Sequence, residues 1–542
     1  MIKLIDKTKQ LIFAQQTSIL SSTLLIASMV IVGRVFGFLR YRALAGYYTK
    51  EQLDIFFAAF RIPDLIFEVL ITGALTASFI PFYIKYQQDK KKQDEYVSSI
   101  INLISLILFI FIAILTIFAR PIMALLTPGF SAEKIDQITY FSQLLLIGQV
   151  PFMALGSFLT GISQAKKMFI IPAVAPIFYN LMVIVATLFF SQGLGLLAPV
   201  LGVIIGALLF FVLQLPTASF AQFNYRLIIK RAQELNDFFK IIVPRVFTIV
   251  IAQIDATVDL TLTSLLGSGA YTVFYFAQHL QLLPVAVIGI SFGQASLPYL
   301  SEMHTQERRE ELRKVIVDSI LNLFFLTVPI ATFFIFARTP LVRIFFGGPK
   351  FDWDATVATA VTLSIFSLSV PFHSIYYFLT RCFYALFDSR TPFFISLGSL
   401  LLNILLSTYF ILVLKLPVWS LAVSFSTGMI INVMILLVIL YRKINGFDLK
   451  LLTVETFKIV VATFLSSIFV YYVLRLFDNL IIDTSRTINV IFLIFTMGLL
   501  YIVVYLFLAW VFNIKEVGLI IKMLLKVKAY QKKIVEIYSP MQ

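Results

Sequence analysis

Charge and cysteine are scarce in this chain. Charged residues make up only 13% of its 542 residues, against 60% hydrophobic. A soluble domain carries about 25% charged and roughly 45–50% apolar residues. The single cysteine, Cys382, excludes an intramolecular disulfide and any cysteine-built metal cage. Three histidines without H-E-x-x-H spacing argue against zinc. No P-loop, G-x-S-x-G or H-x-x-E-H is found, which argues against an ATP-driven pump or a hydrolase.

What fills the chain instead is hydrocarbon. Mean hydropathy is +0.95. Apolar runs of roughly 20 residues follow one another, each enough to cross about 30 Å of lipid. The first is longer than a signal-peptide core and lacks a small-residue cleavage site, so retention is expected. Fourteen spans are predicted, at 18–39, 55–84, 97–119, 137–162, 169–191, 196–217, 238–266, 271–300, 315–337, 356–384, 391–413, 417–440, 454–475 and 487–512. The fold class is an all-α polytopic membrane protein. The net charge of +15 comes from lysines and arginines in alternate connections, such as Lys85–Lys92, Lys166–Lys167 and Arg308–Lys314. That pattern puts those connections and both termini in the cytoplasm, and no nucleic-acid partner is expected. Arg40–Glu51 reads as an outer loop that breaks the pattern.

The sequence also repeats itself. Ile117-Phe118-Ala119-Arg120-Pro121 returns as Ile335-Phe336-Ala337-Arg338-Thr339-Pro340, about 218 residues later. Ala77-Ser78-Phe79-Ile80-Pro81 returns as Ala295-Ser296-Leu297-Pro298. So long a period fits a duplicated bundle, as in many secondary transporters, and not a solenoid. The expected organisation is a cytoplasmic segment 1–17, an N-lobe 18–217, a linker 218–237, a C-lobe 238–440, two extra spans within 441–512, and a basic amphipathic segment 513–542. Lys515, Lys522, Lys526 and Lys533 of that last segment fit an anionic inner leaflet.

Ionisable residues inside spans are expensive and mark function. Asp54, Arg61, Asp64 and Glu68 fall at spacings that share one helix face. Gln253, Asp255 and Asp259 follow in span 7 with Arg245, and span 8 adds Gln278 and His279. Span 1 adds Arg34 and Arg40. Pro63, Gly73 and Pro284 are candidate hinges, and Gly33 with Gly37 forms a small-xxx-small pair suited to close packing. Ion pairs tying helices together, for example Arg61 with Asp64, are the structural alternative for any one of these charges.

Several motifs resemble the MurJ (MviN) family of lipid II flippases, in the superfamily that also holds multidrug extruders and polysaccharide exporters. Gly33-Arg34-Val35-Phe36-Gly37-Phe38-Leu39-Arg40 is similar to S-R-x-x-G-F-x-R-D. Asp54 to Pro63 is similar to D-A-F-x-x-A-F-[KR]-[LI]-P, and Gly73 to Pro81 to G-A-[FL]-x-x-[AS]-F-[VI]-P. Phe276 to Pro284 is similar to Y-A-x-R-L-x-x-L-P, and Arg381 to Pro392 to R-x-[FY]-Y-A-x-x-D-x-x-T-P. The resemblance implies a transporter, not an enzyme, in the bacterial inner membrane. It would flip undecaprenyl-pyrophosphate-linked peptidoglycan precursor (lipid II) outward by alternating access. It implies a cationic central cavity with Arg34, Arg40, Asp54 and Arg61 in it, and a lipid-tail groove beside spans 13 and 14. Cell-wall synthesis proteins are candidate partners. No cofactor is expected beyond a coupling ion such as Na+ or H+. Asp259 and Asn403 match two ligand positions of the cation site found in some members, whereas Ser407 stands where those members have a carboxylate. Two family arginines fall at Phe67 and His279 here. Both changes lower the cavity's positive charge, and His279 would make transport pH-sensitive. A flippase for another polyprenyl-linked glycan, a cation-coupled multidrug exporter and a non-transporting scaffold of envelope synthesis are the alternatives.

Overall fold

The computed structural model describes residues 19–72, 79, 83–84, 86, 88–166, 168–229, 249–250, 253–480 and 486–518. The expected segment 1–17, Gly73, Arg245 and the basic stretch beyond Gly518 lie outside them. Every regular element among the described residues is helical, apart from one isolated bridge between Gly348 and Phe351. That is what hydrocarbon demands, since a helix satisfies its own backbone.

Ten helices among the described residues are long and apolar enough to cross a membrane. The number becomes eleven if Trp353–Ser367 and Val370–Ala385, bent by 44° at their junction, count as one span. The expected total of fourteen is not reached by this count, in which the expected spans 1, 2 and 7 have no counterpart. The first helix, Ile19–Tyr47, runs further than expected. Arg40 and Arg42 therefore sit on helix and not in an outer loop. Its last turns are held by the fully buried Leu44 and Ala45. Thr49 then opens helix Lys50–Ala59 with a capping box to Gln52.

The described residues divide into two compact units. One runs up to Thr272 and includes Phe345–Ala355; the other holds Val273–Ile344 and the chain from Thr356 onward. In the first unit, Leu197–Val212 lies against Ile170–Leu194 through Gly202 and Gly206. A Cβ on Gly206 would stand 2.8 Å from the Tyr179 carbonyl oxygen. Small residues four apart let backbones meet, and in lipid such packing replaces the hydrophobic drive. Gly33 and Gly37, by contrast, have nothing within 4 Å of a built Cβ.

In the second unit, Arg309–Phe336, Val370–Ala385, Trp419–Lys443, Leu449–Leu480 and Thr487–Val511 share one core around Phe325, Phe378, Phe383 and Leu440. Tyr505 donates to the Phe325 carbonyl at 3.0 Å. The Tyr501 hydroxyl bonds Thr332 at 2.6 Å and Ser467 at 3.2 Å. Spans 13 and 14 are thereby tied to span 9. The motif around Asp388 is a helix-to-helix corner. Phe387 takes a left-handed backbone (φ 56°), and Asp388 accepts from the Thr391 amide at 3.0 Å and from its hydroxyl at 2.7 Å. Partial burial pushes the Asp388 carboxyl up, but bonds from Lys443 and Thr391 outweigh it and hold the group at about 2.

Among the described residues, three helices widen into π-turns, at Phe67–Thr72, Val285–Ile290 and Tyr409–Val413. Pro284 immediately precedes the second.

Candidate functional site: a polar seam in the first unit

Span 2 is not one helix. Lys50–Ala59 ends at Phe60, Arg61–Ile66 begins anew, and the π-turn follows. Pro63 has no N–H to give the Ala59 carbonyl, so the helical ladder lacks a bond at this point.

Asp54 is fully buried. Its carboxylate accepts from the backbone amides of Gly269 and Thr272, the latter at 2.8 Å, and from the Thr272 hydroxyl at 2.8 Å. It thus caps the start of helix Ala270–Pro284, where exposed N–H groups and the helix dipole favour an anion. The Thr272 hydroxyl also reaches the Lys50 carbonyl at 2.8 Å.

Arg61 is buried too, and it turns to helix 253–265. Its Nε donates to Thr257 Oγ1 at 3.0 Å, and Nη2 donates to the Gln253 carbonyl at 2.6 Å and to Gln253 Oε1 at 3.0 Å. Asp64 is exposed and stands within electrostatic reach of Arg61, Glu68 and Arg40. Asp259 is buried and within reach of Arg61. Arg34 is exposed, Glu68 and Asp255 are half-buried, and the Arg40 guanidinium lies 4.7 Å from the centre of the Tyr41 ring. The seam therefore offers an aligned guanidinium, a neighbouring carboxylate open to solvent and further basic side chains. Arginine guanidinium groups suit phosphate oxygens, although the Nε and Nη2 of Arg61 are engaged by Thr257 and Gln253.

The connections around Gly129 and Gly348 pack within this unit as well. Gly129 sits against the Ser264 backbone and its amide bonds Ser264 Oγ at 3.2 Å. Lys134 reaches Ser268 Oγ at 2.6 Å. A Cβ on Gly348 would lie 2.5 Å from Gly46 Cα. Lys50 pairs with Asp352 at 3.0 Å, and Asp352 caps the next helix through the Ala355 amide at 2.6 Å.

With this architecture in hand, likeness to known proteins decides the family. A family model described as "Lipid II flippase MurJ" matches residues 48–492. The chain belongs to the MurJ lipid II flippase family. A relative in Bdellovibrio bacteriovorus, a "probable lipid II flippase MurJ", is 26% identical over 92% of this chain and 96% of its own length. A solved structure of a lipid II flippase MurJ in an inward closed conformation matches with a TM-score of 0.74 at 25% identity, covering 90% of this chain and 98% of that one. An inward-facing multidrug transporter of the MATE family, MOP superfamily, matches with a TM-score of 0.63 at 12% identity over 78% of this chain and 98% of that one. That second likeness is one of fold. The family and the run of apolar helices make this a multi-pass inner-membrane protein.

Other expected site residues lie in the second unit. His279 stacks on Tyr275 with ring centres 3.9 Å apart, and its Nδ1 lies 2.8 Å from the Tyr275 carbonyl oxygen. Asn403 and Ser407 are buried, and Ser407 donates to Asn403 Oδ1 at 3.4 Å. Among the described residues no group of three or more His, Cys, Asp or Glu is placed to hold a metal ion.

Sequence reasoning missed Thr257, Gly269 and Thr272, the partners of Arg61 and Asp54. One signal was available. Thr272 lies 218 residues after Asp54, the period of the repeat, so equivalent positions bond each other.

Proposed function

We propose that this protein flips lipid II from the inner to the outer leaflet by alternating access. The observation that carries the reading is the family match over residues 48–492. The polar seam built on Arg61 supports it. In this reading the pyrophosphate head meets Arg61 and the basic groups around Asp64, while the prenyl tail stays in hydrocarbon. Asp54 acts as a positioning residue, since its carboxylate is spent on Gly269 and Thr272. Both termini are cytoplasmic by the charge pattern. Drive comes from the membrane potential or a cation gradient.

Phe67 and His279, standing where family arginines are expected, favour a second reading: a flippase for a differently decorated polyprenyl-linked glycan.

The test is rescue of a bacterium depleted of its own lipid II flippase, with Arg61→Ala and Arg34→Ala beside the parent chain. Rescue by the parent is expected, with at least about a tenfold loss in Arg61→Ala, the effect of removing one charge-assisted contact. Failure to rescue by protein that is correctly inserted overturns the lipid II assignment and leaves the second reading.

A further inference from the structure

A cavity of about 850 Å³ opens in the first unit between helices Lys90–Leu126, Val150–Ala165 and Leu197–Phe220. Of its lining side chains only Asn102, Ser105 and Tyr225 carry polar groups. Residues 223–229, which have no helical structure, cross one end of it. Irregular backbone carries polar N–H and C=O groups that need partners when buried. Here one face of helix Lys90–Leu126 supplies them. Ser98 accepts the Arg226 amide at 3.0 Å, and Asn102, one turn on, donates to the carbonyls of Arg226 and Ile228, both at 2.9 Å. The crossing segment is thus a built feature, and it sorts its side chains sharply. Leu227 lines the cavity and is 86% exposed. Arg226 points to the polar end, where it pairs with Glu95 at 3.3 Å while its side chain stays 43% accessible. Lys90, Lys91 and Lys92 begin the same helix.

The site is therefore apolar inside. Near one end it has Arg226 and the lysines of the helix start, with Lys90 paired to Asp94 at 3.0 Å and Arg226 to Glu95. The positive-inside rule assigns that end of the span to the cytoplasm. We propose that it binds one anionic phospholipid of that leaflet, with an acyl tail in the cavity and the phosphate at Arg226. Size favours an acyl tail over the substrate's own prenyl chain. At roughly 30 Å³ per water-sized group, 850 Å³ takes one or two phospholipid tails and falls well short of an eleven-unit polyprenyl. The proposal does not rest on the protein being a flippase.

The experiment is photo-crosslinking of the full-length protein in nanodiscs with phosphatidylglycerol carrying a diazirine in its tail, the adducts being mapped by mass spectrometry. Adducts on residues 101–108, 154–159 and 223–229 are expected well above those at Leu405, a 68% exposed reference in the second unit. Ala154→Phe should remove them by filling the cavity. Leu227→Gln, an exposed position that folding tolerates, should reduce them. Arg226→Gln should erase a preference of about fivefold for phosphatidylglycerol over phosphatidylcholine, one basic group's share of attraction to an anionic surface. Labelling no stronger than at Leu405 overturns the proposal. So does equal labelling by both lipids in the parent chain, or displacement of the label by a polyprenyl phosphate.

Discussion

The loops around Gly129 and Gly348 occupy equivalent places in the two copies of the repeat, once the extra Thr339 is counted. Their partners, Ser264 and Gly46, are equivalent as well. In both copies a glycine brings one backbone onto another where no Cβ would fit. Around that shared contact the chemistry has diverged. The first copy adds a hydrogen bond from Lys134 to Ser268; the second has an ion pair between Lys50 and Asp352. Arg120 lies inside the unbroken helix Lys90–Leu126, whereas its counterpart Arg338 starts a new helix. Duplication has kept the shape of the contact and let its polar decoration drift. Close approach of backbones has one solution, while a lysine at a surface has many.

The sharpest way to break the comparison is to add a methyl group. Gly129→Ala and Gly348→Ala should each destabilise the protein by about 1–3 kcal/mol, the usual cost of overpacking. Neither glycine has a positive φ, so the effect is steric. Gly398→Ala, with open space around it, is the control. Thermal unfolding in detergent reads all three, and a tolerated Gly348→Ala would show that only the first copy needs its glycine.

Asp54 comes next. Asp54→Ala leaves the Gly269 and Thr272 amides without their acceptor and should cost about 1–3 kcal/mol. Thr272→Val should cost less, because its amide still reaches the carboxylate. Equal losses in the two would mean that the hydroxyl, and not the cap, is the important partner.

The smallest effect belongs to the two lysines. A double-mutant cycle on Lys50→Met and Asp352→Asn should give about 0.2–1 kcal/mol, falling with salt. Lys134→Met should show a change of similar size that salt does not alter when Ser268 is also removed. Matching salt dependence in the two would erase the distinction between the copies.

Hydropathy made the apolar helices legible, because the bilayer imposes a length that few other environments do. The ends and breaks were not. The first helix runs on to Tyr47 because Leu44 and Ala45 find buried partners, which no local pattern announces. Pro63 signalled trouble in span 2, yet the π-turn after it depends on packing. The polar seam was legible as a set of residues and not as a set of bonds. Asp54 answers to backbone amides, which leave no trace in side-chain identity, and Arg61 is held in part by a carbonyl. Thr257 stands one turn from Gln253 and could have been suspected; Gly269 could not.

The π-turns at Phe67–Thr72 and Val285–Ile290 are also equivalent across the repeat. Each is a helix carrying surplus residue in its winding. Taking one residue out would swing everything beyond it by about 100°. The bearing of Ser291–Thr305 is thus set upstream, as a crank's handle is set by its throw, and Gly293 meets the Tyr377 backbone only at that phase. A helical wheel drawn straight through residue 290 would point the whole far half of this helix the wrong way.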